Sequence, residues 1–161
     1  MPYFEDMKVG DTRVFGSYTF TAENIIRFAK KYDPQPFHLS EEGGKNSLFG
    51  GLCASGWHTG AACMRMIVDF NKSQIQEALA RGEKPVASGP SPGFKNLKWL
   101  KPVYAGDTVT YTSELVELRE SASRPEWGIM FAKIYGENQK GERVYEFDSS
   151  AFIPRKPKAA S

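Results

Sequence analysis

The feature that most constrains the fold of this chain is one long apolar segment, residues 57–70. Its hydrophobic side chains occupy almost every side of a helix, and a helix that is apolar all round is a buried one. Small residues such as Gly60 and Ala61 in its first half let other backbone approach closely. The pattern therefore predicts a buried central helix that continues less regularly to Ala80 and ends at Gly82.

After this helix the sequence changes to the patterns of β-strands. Some stretches alternate apolar and polar side chains, as half-buried strands do, and one is apolar on both faces like a central strand. The Gly-Asp-Thr opening at residues 106–108 recurs at residues 10–12, a likeness too brief to indicate a duplicated domain. Four strands are predicted, at residues 94–100, 108–117, 129–135 and 145–151.

A buried helix followed by an antiparallel meander predicts an α+β domain in which the sheet wraps around the long central helix. The 161 residues suit one such domain. We expect it to span residues 1–154, with residues 155–161 forming a short, disordered basic tail. A sheet curled on one helix leaves a face and an edge uncovered, so we expect a homodimer or a higher homo-oligomer.

Composition and charge exclude several classes of function. A formal net charge of +2 is too small to indicate nucleic-acid binding. No apolar run reaches the ~20 residues that cross a bilayer, so we expect a cytoplasmic protein with no membrane partner and no signal peptide. Cys53 and Cys63 form no Cys-x-x-Cys pair, and the chain has two histidines, so neither a disulfide framework nor a metal site is expected.

The residues best suited to chemistry are Asp33 and His38, which lie five apart with Pro34 and Pro36 between them. Helical positions five apart point away from each other, and the prolines predict a stiff, non-helical loop instead. Such a loop can turn a carboxylate and an imidazole toward one point, which suits general acid/base catalysis. The structural alternative is a proline-rich turn in which Asp33 is a cap and His38 lies on the surface.

A helix is predicted directly before this loop. Thr21 is a suitable N-cap, and apolar residues from Ile25 to Tyr32 follow at helical spacing. The helix should end at or just before Asp33, whose carboxylate then faces the negative end of the helix dipole. We therefore expect the pKa of Asp33 to be raised toward the range useful for a general base.

Together these motifs resemble the hot-dog fold and, within it, the MaoC-like (R)-specific enoyl-CoA hydratases. In that family an Asp lies five residues before a His in a proline-containing loop, as Asp33 and His38 do here. A small-residue turn then opens the central helix, like Ala-Ser-Gly at residues 54–56, and a later strand runs into Pro-Val and Gly-Asp, like residues 102–107. The matching motifs span about residues 28–110 of the chain.

The chain departs from the family pattern at three places. Gln35 precedes Pro36 where the family often has Asn-Pro. Ser55 stands where a common Ala-His-Gly turn has its His, and Met64 falls where some members have an assisting Ser. These changes keep the Asp and His, and they bear on substrate choice and on the groups that support the pair.

The resemblance implies hydration of a trans-2-enoyl thioester, with a coenzyme A thioester as substrate and no other cofactor. It implies that Asp33 takes a proton from water while His38 holds that water and passes a proton to C2. The backbone N–H of Gly56 is then expected to bind the thioester oxygen, and the adjacent Ser55 and Trp57 to contact the substrate.

Several residues and functions keep a second interpretation. His58 either lines the pocket or bonds a buried carbonyl, and Trp57, Met64 and Met66 either line an acyl tunnel or are plain core. The alternative functions are a dehydratase of branched or dicarboxylic hydroxyacyl thioesters, a hot-dog thioesterase and a non-catalytic acyl-CoA binding module. A hot-dog thioesterase usually takes its carboxylate from the central helix, where this chain offers Asp69, far from the helix start. A binding module has no need for a matched acid and base.

Overall fold

A computed structural model describes residues 2–157, which form one sheet, four α-helices and a short 3₁₀ helix at Phe4–Asp6. The helices that precede the long one are short and follow each other closely along the chain. The helices are α1 (Ala22–Tyr32), α2 (Pro36–Leu39), α3 (Glu41–Lys45) and α4 (Gly56–Ala80). The strands are β1 (Thr12–Thr19), β2 (Phe94–Trp99), β3 (Thr108–Glu120), β4 (Trp127–Glu137) and β5 (Arg143–Pro154).

The sheet is antiparallel throughout, with the strand order β1-β3-β4-β5-β2. Strands β3, β4 and β5 form the predicted meander, and β2 crosses to the far edge after the long helix. Side chains of α4 such as Ala62 and Cys63 share one core with Tyr111 of β3 and Val144 of β5. The predicted α+β architecture of a sheet around a long central helix is confirmed.

Helix α4 differs from the prediction in regularity and in burial. It is one continuous helix of 25 residues to Ala80, with no irregular second half. The side chains of Trp57 and Met64 on this helix are 58% and 55% exposed. The prediction of a helix buried all round is therefore wrong, because Trp57, Met64 and Val68 remain exposed within residues 2–157.

In the segment from α1 to α3, the residues that begin and end the helices decide where Asp33 and His38 lie. The Thr21 side chain accepts a hydrogen bond from the Asn24 N–H at 3.2 Å, and α1 ends at Tyr32, as predicted. The prediction of a non-helical loop from 33 to 38 is wrong in its second half, because Pro36 begins α2. Proline is tolerated at the first helical position, where its missing N–H has no intrahelical partner. His38 consequently lies in a short helix.

The described part of the basic tail is tied to the start of the chain. The Arg155 guanidinium pairs with Glu5 at 2.8 Å, and the Lys156 ammonium pairs with Asp6. Residues 158–161, on which the rest of the prediction of a disordered tail falls, lie outside the described residues. Among residues 2–157 there is no helix both long and apolar enough to cross a membrane.

Candidate active site

The structure brings the Asp33 carboxylate and the His38 imidazole together. Asp33 is the residue that closes α1, and His38 is presented by the single turn of α2, so two short helices aim the two groups at each other. The distance from Asp33 Oδ2 to His38 Nε2 is 3.5 Å. The His38 side chain is buried and that of Asp33 is largely buried, which strengthens the interaction between them.

The orientation of the His38 ring is fixed by a hydrogen bond on the side of the ring away from Asp33. Its Nδ1 lies 2.7 Å from the backbone carbonyl oxygen of Cys53. Because a carbonyl can only accept a hydrogen bond, Nδ1 carries a hydrogen and Nε2 is the nitrogen that exchanges a proton on the Asp33 side. Burial raises the pKa of the nearby Cys53 thiol to about 11, so this thiol is not an activated nucleophile.

Both oxygens of the Asp33 carboxylate accept hydrogen bonds. Ser55 Oγ donates to Oδ2 at 2.7 Å, and the Gln35 side-chain amide donates to Oδ1 at 2.8 Å. Burial alone would raise the pKa of Asp33, but these two donors and the charge of His38 outweigh it and lower that pKa. The expected raised pKa is therefore wrong, and Asp33 is a carboxylate held in its ionised form.

The start of α4 lies directly beside the pair. Ser55 is the N-cap residue, and its Oγ accepts a hydrogen bond from the Trp57 N–H at 3.2 Å. The N–H of Gly56, the first residue of the helix, has no intrahelical partner by geometry and carries the positive end of the helix dipole. This end of α4 can therefore stabilise a developing negative charge on a bound oxygen.

Gly56 is also needed for packing. A Cβ added to it would collide with the indole ring of Trp99, which lies against the helix start. Trp99 in turn makes an edge-to-face contact with Trp57, with ring centroids 5.2 Å apart. A Gly56→Ala variant would displace Trp99, so its loss of activity would not by itself show that Gly56 binds a thioester oxygen.

Asp33, His38 and Gly56 line one open pocket of about 420 Å³. Its walls are mainly apolar and come from the α2 region, the start of α4 and the chain after β2. Trp57 and Trp99 stand at this pocket, whereas Ser55 is 1% exposed and reaches it only through Asp33. The apolar side chains that line it include Phe37, Phe49, Leu100, Pro102, Val103 and Val144.

The structure places the other candidate residues away from this pocket. His58 stacks on the Phe28 ring, and its Nε2 lies 3.4 Å from the Tyr18 hydroxyl, so the expected bond to a carbonyl is wrong. Met64 lines a separate cavity of about 300 Å³ between α4 and the sheet. Asp69 pairs with Arg65 at 2.6 Å on the surface, which does not suit the carboxylate of a thioesterase.

Three parts of the site were not foreseen from the sequence. Gln35 lies inside the Asp/His motif, two residues after Asp33, so the sequence could have indicated that its side-chain amide donates to the Asp33 carboxylate. Trp99 was assigned only to a strand, and nothing in the sequence placed it against Gly56. The Cys53 carbonyl is a backbone group, so no side-chain pattern could identify it as the partner of His38.

The fold and the site together define a hot-dog domain with a carboxylate–imidazole pair beside the start of its central helix. The model of the MaoC like domain matches residues 6–127. The chain therefore belongs to the MaoC-like hydratase/dehydratase family, which confirms the resemblance inferred from its motifs.

Individual proteins support this assignment. The structure of the MaoC-like dehydratase from Rhodospirillum rubrum is 34% identical, covers 98% of this chain and 99% of its own, and superposes with a TM-score of 0.80. The uncharacterized protein YdeM of Bacillus subtilis (strain 168) is 28% identical over 94% of this chain and 98% of its own length. A mesaconyl-CoA hydratase of Cereibacter sphaeroides is 31% identical over 68 residues, which is 42% of this chain and 20% of the hydratase.

Proposed function

We propose that this protein is a lyase that adds water to a trans-2-enoyl thioester and yields the (R)-3-hydroxyacyl thioester. The observation that carries the proposal is the approach of Asp33 Oδ2 and His38 Nε2 to 3.5 Å at a largely apolar pocket. Two groups this close can both hydrogen-bond one water molecule that lies beside them at the pocket, and they can exchange its protons. Membership of a hydratase/dehydratase family supports the same class of reaction.

Hydration needs a base for the water and an acid for the substrate. Asp33 removes a proton from the water as its oxygen forms the new bond to C3. The protonated His38 delivers the hydrogen on Nε2 to C2, and the proton held by Asp33 then returns to His38, so the pair ends as it began. The ionised state of Asp33 and the fixed Nδ1–H of His38 suit these two roles.

The electrons that move during attack at C3 collect on the thioester oxygen. We assign the Gly56 N–H, at the positive end of α4, to this oxygen. A fixed donor of this kind typically lowers a barrier by ~3 kcal/mol. Trp57 is placed at the pocket to contact the substrate, which we infer is a coenzyme A thioester.

Exposed apolar side chains on α4 and β2 support a homodimer. Met64 and Val68 of α4 are exposed, and the edge strand β2 exposes Phe94 and Trp99. A second copy would cover these surfaces and the open sheet edge. Sedimentation equilibrium should give at least twice the 18.0 kDa mass of one chain, and a monomer at micromolar concentration would contradict this assignment.

A second candidate is the hydration of a branched or dicarboxylic enoyl thioester. The observation that favours it is the similarity of 68 residues to a mesaconyl-CoA hydratase, a match limited to a fifth of that protein. Because the pocket is lined mainly by apolar side chains, we rank unbranched monocarboxylic acyl groups first.

The test is the loss of the conjugated enoyl absorbance on addition of the protein. Crotonyl-CoA, longer trans-2-enoyl-CoA homologues and mesaconyl-CoA form the substrate series. Chiral analysis of the product gives the configuration at C3. We expect turnover with an (R)-3-hydroxyacyl product for the unbranched series. Turnover of mesaconyl-CoA alone would favour the second candidate, and no turnover of any thioester would refute the proposed function.

A further inference from the structure

Ser55 makes two hydrogen bonds that join the candidate base to the start of the central helix. Its Oγ donates to Asp33 Oδ2 at 2.7 Å and accepts from the Trp57 N–H at 3.2 Å. The hydroxyl has a single hydrogen, so the direction of both bonds is fixed: from Trp57 to Ser55 and from Ser55 to the carboxylate. Ser55 is 1% exposed, which keeps water from replacing either bond.

The oxygen that Ser55 contacts is the one that matters for the proposed reaction. Oδ2 of Asp33 is also the oxygen that lies 3.5 Å from His38 Nε2. A carboxylate held through Oδ2 by a buried hydroxyl has little freedom to rotate this oxygen away from His38. The other donor, Gln35, acts on Oδ1 from an exposed position and constrains Oδ2 only indirectly.

We propose that Ser55 is a positioning residue. It fixes the place and orientation of the Asp33 carboxylate relative to both His38 and the N-terminus of α4. The proposal rests on the proposed hydratase function, in which Asp33 is the base and the adjacent Gly56 N–H receives the thioester oxygen. One hydroxyl then fixes the distance between the group that activates water and the group that binds the substrate. In this proposal Ser55 acts through Asp33, whereas from the sequence Ser55 was expected to contact the substrate directly.

The groups that face the Asp33 carboxylate are few, which makes its titration informative. They are Ser55 at the start of α4, Gln35 before α2 and His38 within α2. Removing the Ser55 donor should raise the pKa of Asp33 toward its ordinary value, because a hydrogen bond to the charged form is lost.

The main variant is Ser55→Gly, because glycine is a tolerated N-cap and the change removes the donor to Asp33 with little loss of helix stability. Ser55→Ala is the second variant, which loses the same donor and also destabilises the helix start. The matched control is Thr21→Gly, which removes the 3.2 Å capping bond of α1 and has no contact with Asp33. Asp33 is titrated by carbon NMR without substrate, and kcat and KM are measured against pH.

Both Ser55 variants should raise the Asp33 pKa and lower the plateau kcat by about tenfold, with little change in KM. Thr21→Gly should change neither quantity. An unchanged Asp33 titration would overturn the proposal, and so would a raised pKa with an undiminished plateau kcat, since Ser55 would then tune charge without positioning. If the wild-type protein hydrates no thioester, the proposed function fails separately, and the NMR titration still decides whether Ser55 holds Asp33.

Discussion

The surroundings of His38 and His58 differ sharply although both side chains are buried. Each residue is 5% exposed, with His38 in α2 and His58 in the first turn of α4. His38 has a carbonyl behind it and a carboxylate in front of it. His58 is packed among the rings of Phe20, Phe28 and Tyr18, and its Nδ1 has no hydrogen-bond partner within the described residues.

This difference shows that burial alone does not prepare a histidine for proton transfer. Burial, and to a smaller extent the charge of Arg27, lowers the pKa of His58 to about 4, so its ring stays neutral. An imidazole that avoids the charged form cannot hold a proton for delivery near neutral pH. His38 instead faces the Asp33 carboxylate at 3.5 Å, a partner with which it can exchange a proton.

The largest expected effect is the loss of activity in Asp33→Asn. Asparagine keeps the shape and the acceptor oxygen but cannot take a proton from water. Enoyl-CoA hydration should fall by about 10²–10⁴ while the circular dichroism spectrum is unchanged. A folded variant with wild-type activity would show that the carboxylate has no part in the mechanism. The carboxylate that distinguishes the surroundings of His38 from those of His58 would then have no functional role.

Replacing His38 should have a comparable effect. His38→Ala removes the proton donor to C2 and leaves the Cys53 carbonyl without its buried partner, so activity falls and some stability is lost as well. The double variant with Asp33→Asn should be little slower than either single variant, because residues that act as a unit are strongly non-additive. Rate losses that multiply would show that the two residues do not share one water.

Much of the fold could be predicted because its signals are local. The patterns of apolar and polar side chains in β3, β4 and β5, and the N-cap at Thr21, each lie within a short window of sequence. Strand β1 was visible only at its Gly-Asp-Thr opening, because a bulge between Val14 and Gly16 interrupts its alternation. The exposed side of α4 was not predictable, since an apolar pattern does not say which chain will cover it.

The candidate site was predictable in its main pair and not in its electrostatics. Asp33 and His38 lie within one motif, so their proximity followed from the two prolines and from the family resemblance. The lowered pKa of Asp33 depends on Ser55, which lies 22 residues away in sequence. A hydrogen bond across that separation is a product of tertiary folding, and it reverses the effect expected from the dipole of α1.

The next largest effect concerns stability in acid and is expected for His58→Phe. In the unfolded chain His58 has its ordinary pKa of 6.5, against about 4 in the fold, a gap worth roughly 3 kcal/mol. As pH falls from 6.5 to about 4, the unfolded state takes up a proton that the folded state does not, so wild-type stability decreases. Above pH 6.5 this contribution is fully present.

Phenylalanine removes that proton uptake and keeps a ring against Phe28. Urea unfolding from pH 4 to 8 should show that the variant loses less stability in acid than the wild-type protein, with hydration activity little changed. Equal pH dependence of the two proteins would mean that His58 is protonated inside the fold. A large loss of activity would place His58 in the site and erase the contrast with His38.

The smallest effect is expected for Tyr18→Phe, which removes the polar partner of His58. The contact between the Tyr18 hydroxyl and His58 Nε2 is long, at 3.4 Å, and long hydrogen bonds are weak. The free energy of unfolding should fall by less than about 1 kcal/mol, and kcat should stay at the wild-type value. If Tyr18→Phe instead lowered kcat as strongly as the His38 variant, the two histidines would belong to one proton path, and the aromatic surroundings of His58 would be part of the site.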